Sequence, residues 1–232
     1  AKGIAAELPG WQMEGSVHNV ARRDGIGSLI IDAAFKIGRL PDHYFQGIGG
    51  GPGPIGIHEM AERLIDGGFF EGPVPRQHVS QNVEHHPIHN AWQAGRNHLV
   101  PEDFPPDEVE VYSDYLLNKG PAYGQVGAVH DILKSSNGQT YIVKREAAVA
   151  AREMIESIEG IDIMSPGAVA AASLLQALNE GEVNKDDCIL LNISGGGTGR
   201  LKKDIATRVV KPWLSVEKAA AVPAILEKLA TD

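Results

Sequence analysis

Apolar residues recur along this chain in two rhythms, short runs that read as strands and longer stretches at helical spacing between them. Strand-like runs fall at Trp11–Val17, His43–Ile48, Arg76–Gln81, Thr140–Val143 and Cys188–Ser194. From Gly25 to Gly38, Ile26, Leu29, Ile30, Ala33, Ala34 and Ile37 share one broad face, which predicts an amphipathic helix. Four more helical patterns cover Gly56–Asp66, Pro121–Lys134, Arg145–Glu159 and Pro166–Glu180. This alternation predicts a single α/β domain over residues 1–232, three-layered, with a largely parallel sheet between flanking helices. Its ligand sites are expected beyond the C-terminal strand ends. The proline-bearing, acidic stretch 97–118 reads as an excursion over the surface. Ser165-Pro166 reads as an N-cap with proline at the first helical position, and the small residues after it suit a close approach to the sheet. The first residues, AKGIAAELPGW, read as the last turns of a helix followed by a Pro-Gly turn into a strand, so the chain reads as beginning inside a fold.

The segment Tyr44–Glu62, YFQGIGGGPGPIGIHEMAE, joins strand to helix through a glycine-crowded turn. Glycine permits positive φ and lets the backbone approach a ligand, while a helix N-terminus offers unpaired N–H groups and the positive end of its dipole. That combination favours a phosphate. Pro52 and Pro54 each remove one N–H, although Pro54 suits an early helical position. The spacing matches neither the dinucleotide fingerprint nor the nucleoside-triphosphate loop. The turn alone therefore reads as a phosphate cradle or as a plain strand-to-helix connection.

A second cluster, Asn192-Ile-Ser-Gly-Gly-Gly-Thr-Gly-Arg200, follows the last strong strand. In a parallel sheet both turns sit at strand C-termini and can face one ligand, with Ser194 as a short hydrogen-bonding group. The alternative is a flexible loop relieved by its glycines. A third cluster, Ser16-Val-His-Asn19-Val-Ala-Arg22-Arg23-Asp24-Gly25, lies between a strand and a helix. Guanidinium groups there suit an anionic substrate, and the alternative is a surface Arg–Asp pair with Asp24 as N-cap.

Composition narrows the partners. The formal charge of −9 argues against nucleic acid, which needs Lys and Arg clusters. No apolar run of membrane-spanning length and no signal peptide appears, and the one cysteine, Cys188, lies in the apolar run CILLNI, so a reducing cytoplasm is expected. His85, His86 and His89 invite a metal reading, but Pro87 interrupts their spacing and no cysteine or carboxylate set accompanies them, so no metal is expected. No Gly-x-Ser-x-Gly elbow or Cys/His pair supports a hydrolase.

Five segments taken together, Glu14–Ala34, Leu40–Ile55, Asn90–Arg96, Glu159–Leu178 and Leu190–Leu201, resemble the C-terminal part of pyridoxal-phosphate enzymes of the cysteate synthase and threonine synthase family. The resemblance covers nearly the whole chain. It implies the large domain of the tryptophan-synthase-β-like, fold-type II enzymes without its N-terminal portion, and pyridoxal 5′-phosphate as cofactor. Gly50, Gly51, Pro52, Gly53 and the amide of Ile55 would hold the cofactor phosphate, and Ser194 would meet the pyridine nitrogen. Arg22, with Ser16 and Asn19, would bind the substrate. The implied reaction is replacement of the phosphate of O-phospho-L-serine by sulfite, giving L-cysteate, in a homo-oligomeric cytoplasmic enzyme of amino-acid or coenzyme M biosynthesis.

This sequence departs from the family pattern at Pro52 and Pro54, where Thr and Gly are usual, and at Ser194, where threonine is usual. The family's Schiff-base lysine sits in a Ser-x-Lys motif of the first half, and no lysine here lies in such a motif. Lys144 falls where the family often has a capping serine. The catalytic lysine is therefore expected from a missing N-terminal segment or a separate subunit. Two alternatives remain at this point, a threonine synthase acting on O-phosphohomoserine and a non-catalytic phosphate- or cofactor-binding subunit.

Overall fold

Four of the five strand-like runs become the strands β1 (His43–Gly47), β2 (Arg76–Asn82), β3 (Gln139–Val143) and β4 (Ile189–Leu191). They lie in the order β3-β2-β1-β4, and every pairing is parallel. Parallel strands need crossovers, and those crossovers cover both faces of the sheet with helices. The computed structural model describes residues 2–107, 109–212, 215 and 221–231. They divide into a unit of residues 16–201, which holds the whole sheet, and a smaller unit of residues 1–15 with 202–232. In the smaller unit α1 (Lys2–Glu7) meets α8 (Ala221–Thr231), and Gly3 lies so near Val222 that a Cβ would stand 2.9 Å from its Cγ2.

On one face, α2 (Val20–Ile37) and α3 (Pro52–Asp66) bury Ile30, Ala34, Ile57, Ala61 and Leu64 against Tyr44. Each fully buried large aliphatic side chain there contributes roughly 1.5–3 kcal/mol. Farther along that face, α5 (Val129–Ser135) packs Val129, Ile132 and Leu133 against Ile48, Ile55 and Val79. The opposite face is covered by α7 (Ser165–Asn179), with α6 (Arg145–Glu159) outside it. α7 comes close at Gly47, where a Cβ would stand 2.7 Å from the Pro166 carbonyl oxygen. Lys144 caps α6 without a side-chain bond. Ser165 is the first residue of α7 rather than its cap, and its hydroxyl donates to Ser113 Oγ at 3.0 Å.

A buried polar row crosses the sheet under α7. Asp187 Oδ2 lies 3.1 Å from His43 Nε2, His43 Nδ1 lies 2.8 Å from His78 Nε2, and His78 Nδ1 lies 2.9 Å from the Tyr141 hydroxyl. Burial, with His43 and Arg76 nearby, holds His78 down to about 3, so the row carries a neutral imidazole at its centre. The Asp187 carboxylate accepts from His43, and each group then donates along the row from Tyr141 toward Asp187.

Several boundaries depart from the periodicity. Trp11–Val17 pairs with no strand among the described residues. Trp11 is exposed, and Ser16–His18 form a short 3-10 turn instead. The helix expected from Pro121 begins only at Val129, because Gly124 lies against the Asn97 carbonyl and Ala122 donates to Gly50 O at 3.0 Å. The first long helix starts earlier than expected, at Val20, where Asn19 accepts the Arg22 amide at 3.3 Å. Asp24 is therefore not the cap; it pairs with Arg63 at 2.6 Å. The histidine stretch forms α4 (Pro87–Gln93) and the turn before it.

Candidate cofactor and anion site

The two glycine turns leave neighbouring strands. β1 pairs with β4 with Phe45 opposite Leu191, and the Asn192 amide continues the ladder onto Phe45 O at 2.9 Å. The turn after β1 and the turn carrying Ser194 therefore rise side by side from the C-terminal edge of the sheet.

The first turn enters α3 through Gly51, whose φ of 102° caps the helix and lies in a region that disfavours a side chain. Its neighbours leave no room for one either. A Cβ at Gly49 would stand 3.2 Å from the Tyr115 carbonyl oxygen, and one at Gly50 2.9 Å from Asn118 Nδ2. At Gly53 it would overlap the Gln46 side-chain amide. Among the described residues no acceptor takes the amides of Gly50, Gly51 or Gly53. Those three N–H groups at a helix N-terminus suit a phosphate. Pro52 contributes no donor. The Ile55 amide, expected as a fourth, is already the first rung of the helix, on Gly51 O at 3.4 Å.

The stretch 97–118 reaches this turn and forms its outer wall. Ser113 exchanges two hydrogen bonds with the Asn82 side chain, at 2.9 and 3.0 Å, and Leu116 is buried against Gly47 and Gly49. His85 Nε2 donates to Asn118 O at 3.1 Å, which fixes the residue beside Gly50. The pattern of short Pro, Asp and Ser turns hid this anchoring, because the contacts are remote in sequence.

The second turn is tied to the start of α7. Met164 N donates to Gly195 O at 3.0 Å, Gly197 N to Asp162 O at 3.0 Å, and Gly199 N to the Asp162 carboxylate at 2.7 Å. The Gly199 amide, with that of Arg200, holds Asp162 below the usual carboxylate range. Ser194 stands exposed in this turn, and its hydroxyl has no partner among the described residues.

The third cluster is less closely gathered. Ser16 is exposed at φ 51°, Asn19 caps the helix through its side-chain oxygen, and Arg22 lies exposed in the first turn of α2. Arg23 is the arginine that lines a cavity of about 270 Å³ with Val17, His18, Ile55, Glu59 and Ala122. It donates to Glu59 at 2.8 Å and to the Val17 carbonyl. Ile55 and Ala122 also border Gly51, so this cavity backs onto the first turn. Among the described residues no group of three or more His, Cys, Asp or Glu side chains is arranged to hold a metal ion.

Known proteins resemble this chain. The family described as "Pyridoxal-phosphate dependent enzyme" matches residues 1–195. The cysteate synthases of Methanosarcina mazei and Methanosarcina barkeri are 44% and 45% identical to this chain, over 94% and 90% of its length. The chain covers 53% and 51% of those two proteins and so spans about half the length of the curated relatives it matches. Among solved structures, a threonine deaminase from T.th. superposes with a TM-score of 0.55 at 16% identity, over 82% of this chain and 58% of its own. That likeness concerns the fold, a parallel sheet with helices on both faces, as in fold-type II enzymes. By a match that runs from the first residue into the second glycine turn, the chain belongs to the family of pyridoxal-phosphate dependent enzymes.

Proposed function

We propose that this chain is the C-terminal portion of a cysteate-synthase-like enzyme that replaces the phosphate of O-phospho-L-serine with sulfite, giving L-cysteate. The observation that carries the proposal is a placement on the turns of neighbouring parallel strands: three glycine amides and one hydroxyl, all without a partner among the described residues. Pyridoxal phosphate, when bound, supplies the electron sink that lets a group leave the β-carbon of an amino acid. Gly50, Gly51 and Gly53 hold its phosphate through amides and the α3 dipole. Ser194 meets the pyridine nitrogen with a hydroxyl, which does not force that nitrogen to carry a proton as a carboxylate would. Such a contact restrains the sink and suits elimination and replacement at the β-carbon.

Arg22, Ser16 and Asn19 belong to the substrate side in this reading, where a local guanidinium offsets the acidic protein for two anionic reactants. The lysine that would join the cofactor covalently comes from the complementary half of the enzyme, as does the rest of the pocket. Co-expression with the N-terminal half of the Methanosarcina mazei relative provides the test. Formation of L-cysteate from O-phospho-L-serine and sulfite is the expected result. Threonine from O-phosphohomoserine without any L-cysteate would assign the chain to the threonine synthases instead. Cofactor binding that borohydride cannot trap in any pairing would mark a non-catalytic subunit.

A further inference from the structure

Tyr44 is among the most buried side chains of the protein, 1% exposed, yet its hydroxyl stands in the seam between β1 and β4. Asn192 Nδ2 donates to that hydroxyl at 2.8 Å, and the hydroxyl donates to Gln46 Oε1 at 2.8 Å. Both ends of this chain of bonds lead to a glycine turn. Asn192 opens the turn that carries Ser194. The Gln46 amide lies close against Gly53, where no Cβ fits. Strand geometry explains the convergence, because Tyr44 and Gln46 are two residues apart and so face the same helices. Asn192 follows Leu191, the partner of Phe45, which brings it opposite Gln46 on that same face.

We propose that Tyr44 is a positioning residue that ties the turn after β1 to the turn after β4, fixing the span across which one phosphorylated pyridine ligand is held at both ends. This inference rests on the proposed function for its ligand, and on Asn192, Tyr44 and Gln46 for its mechanics. A buried hydroxyl must be satisfied, so the link persists only while all three groups keep their places. Gln46 cannot shift toward Gly53 because the helix backbone is already there, and it cannot swing away without giving up Tyr44. The strut thus transmits a displacement of either turn to the other. A phosphate alone engages one turn, whereas the whole cofactor engages both and depends on their separation.

Tyr44→Phe in the full chain tests this, since it removes the hydroxyl and keeps the ring. Without ligand, exchange of the hydrogen-bonded amides of both turns, Ile55 in the first and Asn192 and Gly197 in the second, should accelerate about tenfold, while the β2 amides hold their rates. Pyridoxal phosphate should bind about tenfold more weakly, and inorganic phosphate within about twofold of its original affinity. Exchange unchanged in either turn, or acceleration spread through β2, would overturn the proposal. Equal weakening of both ligands would overturn it too. Asn192→Ala cuts the same link from a half-buried position and serves if the Phe variant does not fold. Failure of the unsubstituted chain to bind pyridoxal phosphate would count against the proposed function instead, and the exchange comparison, which needs no ligand, would still decide the strut.

Discussion

Two rows of hydrogen bonds cross this sheet, and they differ in what lies at their ends. The row under α7, from Tyr141 through His78 and His43 to Asp187, runs across the strands and finishes on their flanks. The row under α3, from Asn192 through Tyr44 to Gln46, is shorter and finishes against glycine turns on both sides. Both replace water around buried polar groups, and both are costly to break. The first, however, touches only strands and the α7 side of the core, while the second touches the backbone that would meet a ligand. Buried polarity in one sheet can thus serve stability in one place and site geometry in another.

The widest separation between the two rows should come from His78→Ala. It leaves His43 Nδ1 and the Tyr141 hydroxyl unsatisfied and opens a cavity against Phe45, whose ring stacks on His78 at 4.1 Å. A loss of about 3 kcal/mol in urea unfolding is expected, with the affinity of the folded protein for pyridoxal phosphate unchanged. Weakened binding there would dissolve the distinction. Gly53→Ala probes the other row. Its Cβ displaces Gln46 from Tyr44 and should cost about 2 kcal/mol through overpacking. Unlike the histidine change, it should also reduce pyridoxal phosphate binding by more than about tenfold in a fluorescence titration.

A smaller difference lies in pH dependence. His78 is held down to about 3 by burial, far below the ordinary histidine value of about 6.5. Between those values the unfolded chain binds a proton that the native chain refuses, so this contribution is complete above about pH 6.5 and declines as pH falls toward 3. The slope amounts to at most about 1.4 kcal/mol per pH unit. His58, His86 and His89 are also lowered, chiefly by burial, and add to the decline. His78→Gln should remove only its own share of the slope between about pH 6 and about 4.5, measured by urea midpoints across that range. Tyr44→Phe should leave the slope as it was.

Local chemistry made much of this fold legible. β1, β3 and β4 announced themselves because strands buried on both faces read as apolar runs, although β2, RQHVSQN, holds only one apolar residue, and the glycine turns because few residues other than glycine enter such a bend. α6 was visible in full, since its apolar face repeats at helical spacing, and α7 was read to within a residue at each end. Trp11–Val17 shows where composition stops being a guide. It has strand composition, yet a strand exists only where another is there to pair with it. The first half of Pro121–Lys134 failed for a related reason, as contacts with Asn97 and Gly50 outweigh its helical spacing. Within the site, the glycines and Ser194 stood out by type. Asn118 and Gln46 did not, and Arg23 and Asn192 were read only as members of their clusters, because their roles depend on partners far away in sequence. The one clue was in the strand itself, where Tyr44 and Gln46, two apart, put polar atoms on a single face of an otherwise apolar segment.

Pro52 and Pro54 at the mouth of α3 have a further consequence. Each removes a donor but also freezes one backbone torsion, so the turn is held in its bent shape before anything arrives. A loop of that kind loses little conformational freedom on capture. Its selectivity would then come from shape fixed in advance rather than from the number of amides it presents, and ligands of slightly different bulk should be refused instead of accommodated.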